Sequence, residues 1–361
     1  NIYLVDRIND KKINRYKIYQ LQDVKDKIAC IIVASSKYHS AIEVRIENIC
    51  KQSGITILSP FKMKKYYPQN ELVINRYLSG KKEVTSEEIL IENLKQQKNY
   101  FDAVKAYVEE AIKEVPLFRL IEIETYNRCN GVCEFCPVNK NNDTRKECFM
   151  EESLFYKIVS ELEMLNYDGR VALFSNNEPL LDERIFDFSK YLREHVPKAQ
   201  IHMYTNGTLF TIDKFKKLIL ELDELIIDNY SQNLKLIKPV EEIRKYCLEH
   251  SELINKVTIA VRKPKELLLT RGGEAPNRKK KVIYKNVTCS MPFQQMVVRP
   301  TGEISLCCND PLGKMTLGNL NNQTLLEVWY GEKYTKIRDK IAEGRENIEH
   351  CRYCDVFTLY L

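Results

Sequence analysis

Three cysteines within eight residues, Cys129-Asn-Gly-Val-Cys133-Glu-Phe135-Cys136, constrain this chain more than any other feature. They follow Leu117 to Tyr126, LFRLIEIETY, where Leu, Ile and Phe interleaved with polar residues read as a buried or half-buried strand delivering the thiols into one loop. Three thiols so close cannot all pair with one another. In a reducing compartment, thiolates at this density point to a soft metal centre rather than to disulfides. A structural zinc site asks for four ligands, usually as two separated pairs, so this spacing leaves one corner unfilled by local protein. An open corner suits a cubane cluster whose fourth iron binds a small molecule; a zinc site or a disulfide cluster is the competing reading.

Downstream, the pattern alternates between strands and helices: helix Glu151 to Leu165, strand Val171 to Ser175, helix Asp182 to His195, strand Ile201 to Thr205, helix Ile212 to Leu222, strand Glu224 to Asp228, helix Val240 to His250 and strand Val257 to Val261. Such alternation implies a parallel sheet with helices outside, in an open or closed barrel whose active site gathers at the carboxyl ends of the strands.

With these strands in place, Cys129-x3-Cys133-x-Phe135-Cys136 resembles the motif of the radical S-adenosylmethionine (radical SAM) enzymes, with Phe135 at the aromatic position. The resemblance implies that Cys129, Cys133 and Cys136 hold a [4Fe-4S] cluster and that S-adenosylmethionine (AdoMet) chelates its unique iron. Reductive cleavage would then give a 5′-deoxyadenosyl radical that takes hydrogen from a substrate. The strand ends carry the same likeness. Asn176-Asn177-Glu178-Pro179 is similar to the family's Gly-Gly-Glu-Pro segment, which implies AdoMet amino-group contacts from Asn176, Asn177 and Glu178. Both glycines are asparagine here, a residue that tolerates a left-handed backbone, so the turn is expected to survive. Thr205-Asn206-Gly207 and Asp228 fall where the family contacts the ribose or methionine, and Arg262 is placed to fork a carboxylate.

The C-terminal region holds a second set: Cys289, Cys307 with Cys308 adjacent, and Cys351-Arg-Tyr-Cys354. Val297 to Ser305 reads as a hairpin turning at Thr301-Gly302, and Leu325 to Ile341 as a helix. A hairpin cysteine pair and a terminal CxxC can converge on zinc or on a cluster. The layout resembles the SPASM/twitch extensions of radical SAM enzymes, which implies an auxiliary [4Fe-4S] cluster on Cys289, Cys307, Cys351 and Cys354. Cys308 is an alternative to Cys307, because neighbouring strand residues face opposite sides. Of the remaining thiols, Cys148 follows the cluster loop and is the candidate hydrogen donor to a substrate radical. The glycine-containing basic loop around Arg271, Gly272, Gly273 and Arg278, extended by Lys279 to Lys281, reads as a clamp for an anionic group.

Residues 1–75 look like a small Rossmann-like α/β domain, with strands at Ile2 to Val5, Cys30 to Ala34 and Ile55 to Leu58, a helix from His39 to Gln52 and a ligand-type turn at Ser35 to His39. Residues 76–116 read as a helical connector packing on the barrel, 117–284 as the barrel and 285–361 as the auxiliary cluster domain. The fold expected is therefore α/β: a partial (β/α)6 TIM-like barrel with a C-terminal twitch/SPASM-like domain and an N-terminal Rossmann-like domain.

The 361 residues leave room for two or three domains, and 44% apolar content is ordinary for a soluble globular chain. A net charge of +6, dispersed rather than gathered into a stripe, suits an anionic small substrate and argues against nucleic acid. No run approaches a membrane span and no signal-peptide pattern is visible, so a cytoplasmic enzyme is expected; the chain begins at Asn1 rather than methionine, which leaves an upstream segment open. The resemblance implies a sugar, nucleotide-linked sugar or aminocyclitol substrate epimerised or oxidised at a carbinol carbon, with flavodoxin or ferredoxin as electron donor. A peptide maturase is the alternative within the family, and a metal-stabilised binding or electron-transfer protein the alternative outside it.

Overall fold

The structure is a computed structural model and describes residues 71–357 apart from 80–81 and 279–281, together with short segments among the first 58 residues. The chain divides into two compact units, residues 1–64 and 65–360. In the first, Cys30–Ile32 runs parallel to Thr56–Leu58, and Leu21, Cys50 and Ile55 are buried together. The turn at 35–39 lies outside the described residues.

The second unit is built on a nine-stranded sheet. Its strands are β1 (Val73–Asn75), β2 (Leu120–Ile123), β3 (Arg170–Ala172), β4 (Gln200–Thr205), β5 (Glu224–Tyr230), β6 (Val257–Arg262), β7 (Gln295–Val298), β8 (Glu303–Ser305) and β9 (Thr316–Asn319). They lie in the order β9-β8-β7-β2-β3-β4-β5-β6-β1. From β7 to β1 every pairing is parallel, and β7-β8-β9 is antiparallel. The crossovers between β2 and β6 carry the helices Glu152–Met164, Ile185–His195, Ile212–Ile219 and Lys238–Glu249. Each turns an apolar stripe onto the sheet, Leu154, Phe155, Ile158, Val159 and Leu162 in the first, so strands such as β2 are buried on both faces.

Two expectations change here. The sixth barrel strand is not the next one along the chain: β1 pairs with β6 through Val73↔Ile259 and Asn75↔Val261, so residues assigned to the N-terminal domain complete the barrel sheet. A three-residue edge strand is too short to register as a period-two pattern, which is why the boundary at residue 75 falls too late. The connector is two helices, Ser86–Lys98, opened by a Thr85/Glu88 capping box, and Phe101–Ala111. The second packs Val104, Val108 and Ala111 against Phe293, Ile341 and Ile348 of the C-terminal region rather than on the barrel.

The helix expected over Leu325 to Ile341 is also two, Leu325–Trp329 and Glu332–Glu343, with an extended Gly331 between them. A Cβ there would lie 2.6 Å from Glu327 O. The hairpin is present, and β7 joins it to β2 through Gln295↔Leu120 to Val298↔Ile123, so barrel and C-terminal region share one sheet.

The turn after β4 depends on Gly207, at φ +73°, where a Cβ would sit 2.7 Å from both Ile227 and Val240. Gly207→Ala is expected to cost about 2 kcal/mol or more through left-handed strain and overpacking, lowering the thermal midpoint by several degrees; an unchanged midpoint would contradict this.

Candidate active site and auxiliary metal centre

The chain turns abruptly where β2 ends, and the cluster loop is pinned by side chains the cysteine spacing does not reveal. Asn139, 3% exposed, donates through Nδ2 to the carbonyls of Cys133 at 2.8 Å and Cys136 at 3.0 Å, and accepts the N–H groups of Asn141 and Asn142. Within the loop, Gly131 N–H donates to Cys129 Sγ at 3.3 Å. A methyl on Gly131 would stand 3.3 Å from Cys129 Sγ and 3.8 Å from Cys133 Sγ, so both sulfurs crowd around this glycine. Burial pushes the Cys129 thiol up to about 12 and raises that of Cys133 too, and neither forms a disulfide. A metal cluster is the partner such thiols lack, since a ligating thiol is deprotonated outright.

The loop faces a cavity of about 320 Å³, in the range of small-molecule sites. Every residue read from the sequence as an AdoMet contact lines it, from Phe135 to Arg262, and so does Arg271. Glu178 is the hinge of this wall: it is 2% exposed, and its carboxylate accepts from Thr205 Oγ1 at 2.6 Å, Asn206 N–H at 2.7 Å and Leu180 N–H at 3.1 Å. Burial nevertheless raises its carboxyl to about 7. Asn206 Nδ2 reaches Asn130 Oδ1 of the cluster loop at 2.7 Å, so the turns after β3 and β4 and the cysteine loop form one hydrogen-bonded unit.

Neither Asn176 nor Asn177 has a left-handed φ, so the turn does not draw on that property of asparagine. Asn177 Oδ1 instead accepts Ser175 N–H at 3.0 Å, while its buried Nδ2 and the Nε of Arg271 have no hydrogen-bond partner. Unmatched buried donors beside a cavity of this size fit a polar ligand such as AdoMet. Arg145, not anticipated from the sequence, anchors the turn: it donates to both oxygens of Glu124 at 3.0 Å and to the carbonyls of Asn127 and Asn176 at 2.9 Å. Glu124 and Asp143 hold its guanidinium above the ordinary range.

Arg262 is already engaged. Its Nε donates to Glu266 at 2.6 Å, Asp228 lies at 3.4 Å, and the guanidinium sits 5.9 Å and 5.7 Å from the Phe135 and Tyr230 rings. It stiffens the wall under Phe135 rather than standing ready as a free fork. Arg278 does not enter the cavity; it pairs with buried Asp355 at 3.3 Å and donates to Leu268 O. Cys148 is also outside, its thiol 3.4 Å from Phe149 O. Residues 279–281 are not among those described.

A second, small and nearly apolar cavity is lined by Cys289, Cys307, Cys351 and Cys354 with Met291 and Leu306. Burial pushes the thiols of Cys307, Cys351 and Cys354 up, and nearby thiols add to the shift on each. Among the described residues no three His, Cys, Asp or Glu are gathered tightly enough for a single ion. The four thiols line one shared space. Buried Arg345 holds the frame, donating to the carbonyls of Cys354, Val356 and Thr288 at 2.7–3.0 Å.

Cys307 and Cys308 face different cavities: Cys307 lines the second and Cys308 the first. Arg271 and Gly272 divide in the same way. Gly272, at φ +65°, lies so close to His350 that a Cβ would meet its Nε2 at 2.5 Å. The first cavity also contains Glu122 and Ser175, which motif reading passed over. The available signal was an acid inside a strand buried along its whole length.

Residues 123–258 match the model of the radical SAM superfamily, and residues 289–355 match SPASM, an iron–sulfur cluster-binding domain. The S-adenosyl-L-methionine-dependent 2-deoxy-scyllo-inosamine dehydrogenase of Niallia circulans is 27% identical over 250 residues, which are 66% of this chain and 93% of that protein. The crystal structure of BtrN in complex with AdoMet and 2-DOIA aligns with a TM-score of 0.58 at 25% identity, covering 68% of this chain and 96% of that one. An open-conformation BtrN structure shares the fold, with a TM-score of 0.50 at 22% identity over 68% and 95% of the two chains. The chain is a radical SAM enzyme. More narrowly, it carries a SPASM-type auxiliary domain, and its cofactors are AdoMet and iron–sulfur clusters.

The division at 307/308 is directly testable. Reconstituted wild type should hold about eight irons in two four-iron clusters. Cys307→Ala should lose about half of them, and Cys308→Ala none; the reverse order would show that Cys308 is the ligand.

Proposed function

We propose that this enzyme oxidises a carbinol carbon of a small aminocyclitol or related amino sugar by two electrons, in the cavity between its two cysteine sites. The observation that carries the reading is the shared wall: adjacent residues, Cys307 and Cys308, belong to the auxiliary site and the substrate cavity respectively. The dehydrogenase relative and the 2-DOIA complex of BtrN support an aminocyclitol-like substrate.

Cys129, Cys133 and Cys136 would hold the cluster that, with AdoMet bound, would supply hydrogen-atom abstraction, and Cys289, Cys307, Cys351 and Cys354 would hold one that would supply an electron acceptor. The protein's own residues set the geometry. Glu178, fixed by Thr205 and Asn206, keeps part of its lone-pair capacity for an ammonium group. Asn177 Nδ2 offers an unpaired donor, Asp228 an acceptor for ribose hydroxyls, and Phe135 an apolar floor stiffened by Arg262. Arg271, positioned by Asn176, faces the substrate end of the cavity. Because Arg278 is committed to Asp355, and Glu122, Glu178 and Asp228 outnumber Arg262 and Arg271 in the cavity, the balance favours a substrate bearing an amine over an anionic one. An external one-electron donor of the flavodoxin or ferredoxin class completes the scheme.

A second reading, epimerisation, is favoured by Cys308, a thiol in the substrate cavity from which a hydrogen atom can return to carbon. Anaerobic turnover of 2-deoxy-scyllo-inosamine with dithionite and AdoMet in deuterated water separates the two. Ketone with stoichiometric 5′-deoxyadenosine and no solvent deuterium on carbon is expected. A deuterated epimer whose formation disappears in Cys308→Ala would overturn oxidation in favour of epimerisation.

A further inference from the structure

The catalytic scheme leaves one buried acid without a role. Glu122 is 5% exposed and lines the substrate cavity, at the end of the strand that leads into the cluster loop. Glu124, two residues on, is neutralised by both arms of Arg145. Glu122 has no such cation in hydrogen-bond contact: Ser175 Oγ donates to Oε2 and Gln295 Nε2 to Oε1, each at 2.6 Å. These neutral donors aim the carboxylate and leave it further lone pairs. Gln295, itself fully buried, also accepts Cys308 N–H at 3.1 Å, which registers Glu122 against the auxiliary domain.

We propose that Glu122 is the catalytic base of the oxidation, accepting the substrate hydroxyl and taking its proton. The inference rests on the oxidation reading above. As hydrogen leaves the carbinol carbon, the substrate O–H bond breaks and an O–H bond forms on Glu122; the substrate keeps its unpaired electron and gains one negative charge. The resulting ketyl is a much stronger one-electron reductant than the protonated radical, and the neighbouring cavity is lined by Cys289, Cys307, Cys351 and Cys354, which would hold a cluster able to supply the one-electron acceptor. Burial raises the Glu122 carboxyl to about 7, reinforced by Glu124 and opposed by Arg271, Ser175 and Gln295; Cys308 is the remaining titratable neighbour. A base with that value is half ionised near neutrality, where general-base catalysis is most effective.

The test uses fully reconstituted holoenzyme, 2-deoxy-scyllo-inosamine deuterated at its carbinol carbons, and the variants Glu122→Gln and Glu122→Asp, with iron content checked in each. Glu122→Gln, nearly isosteric, should keep its iron and still form deuterated 5′-deoxyadenosine, while kcat for ketone falls about 100-fold or more and KM changes far less. In wild type the ketone rate should rise with pH through about 7 and then level, because the base must be ionised; in Glu122→Gln this limb should be absent, and Glu122→Asp should restore part of both rate and limb. Ketone formation by iron-loaded Glu122→Gln at the wild-type rate and with the wild-type pH profile would overturn the inference alone. Absence of ketone from wild type would overturn the oxidation reading and this inference with it.

Discussion

The active centre depends on one shared wall, a pair of turns whose backbone lies between two cavities. At Cys307-Cys308 it assigns one thiol to the auxiliary site and the next to the substrate cavity. At Arg271-Gly272 the same division sends a guanidinium one way, while the missing side chain lets His350 approach from the other. The two cavities thus have neighbouring residues of the same turns in their walls, as the proposed passage of an electron between them asks.

The remainder of the site is held by buried polar groups. Glu178 joins the turns after β3 and β4, Asn206 joins them to the cluster loop, and Arg145 joins β2 to the Asn176 turn. Fully satisfied networks of this kind rigidify a site, whereas a missing partner is costly in a low-dielectric interior. The same dryness raises the carboxyls of Glu122 and Glu178 to about 7. Glu178 spends its acceptor capacity on three protein donors, while Glu122 accepts from two, Ser175 and Gln295.

Much of this was legible from the chain alone, because the motifs that carry chemistry are local. Cys129 to Cys136, the turns at Asn176 to Glu178 and Thr205 to Gly207, and the terminal CxxC are contiguous segments, and β/α alternation from β2 to β6 follows from strongly periodic apolar patterning. What escaped depends on distant pairing. Val73–Asn75 is a barrel strand only because β6 lies beside it. Arg278 and Arg271 look alike in one basic loop until Asp355 claims the first. Cys148 is near the cluster loop in sequence and outside the cavity in space, whereas Cys308, distant in sequence, lines it. The choice between Cys307 and Cys308 needed the course of the chain after β8, and the prominence of Glu122 needed β7, which delivers Gln295 beside β2.

The most direct measurement of this arrangement is a crystal structure of the anaerobically reconstituted enzyme with AdoMet, with anomalous data at the iron edge. Two separate iron peaks are expected, one on Cys129, Cys133 and Cys136 with AdoMet at its open corner, the other on Cys289, Cys307, Cys351 and Cys354, with Cys308 and Glu122 free in the space between. A single peak, a zinc signal at the C-terminal site, or Cys308 bound to iron would contradict it.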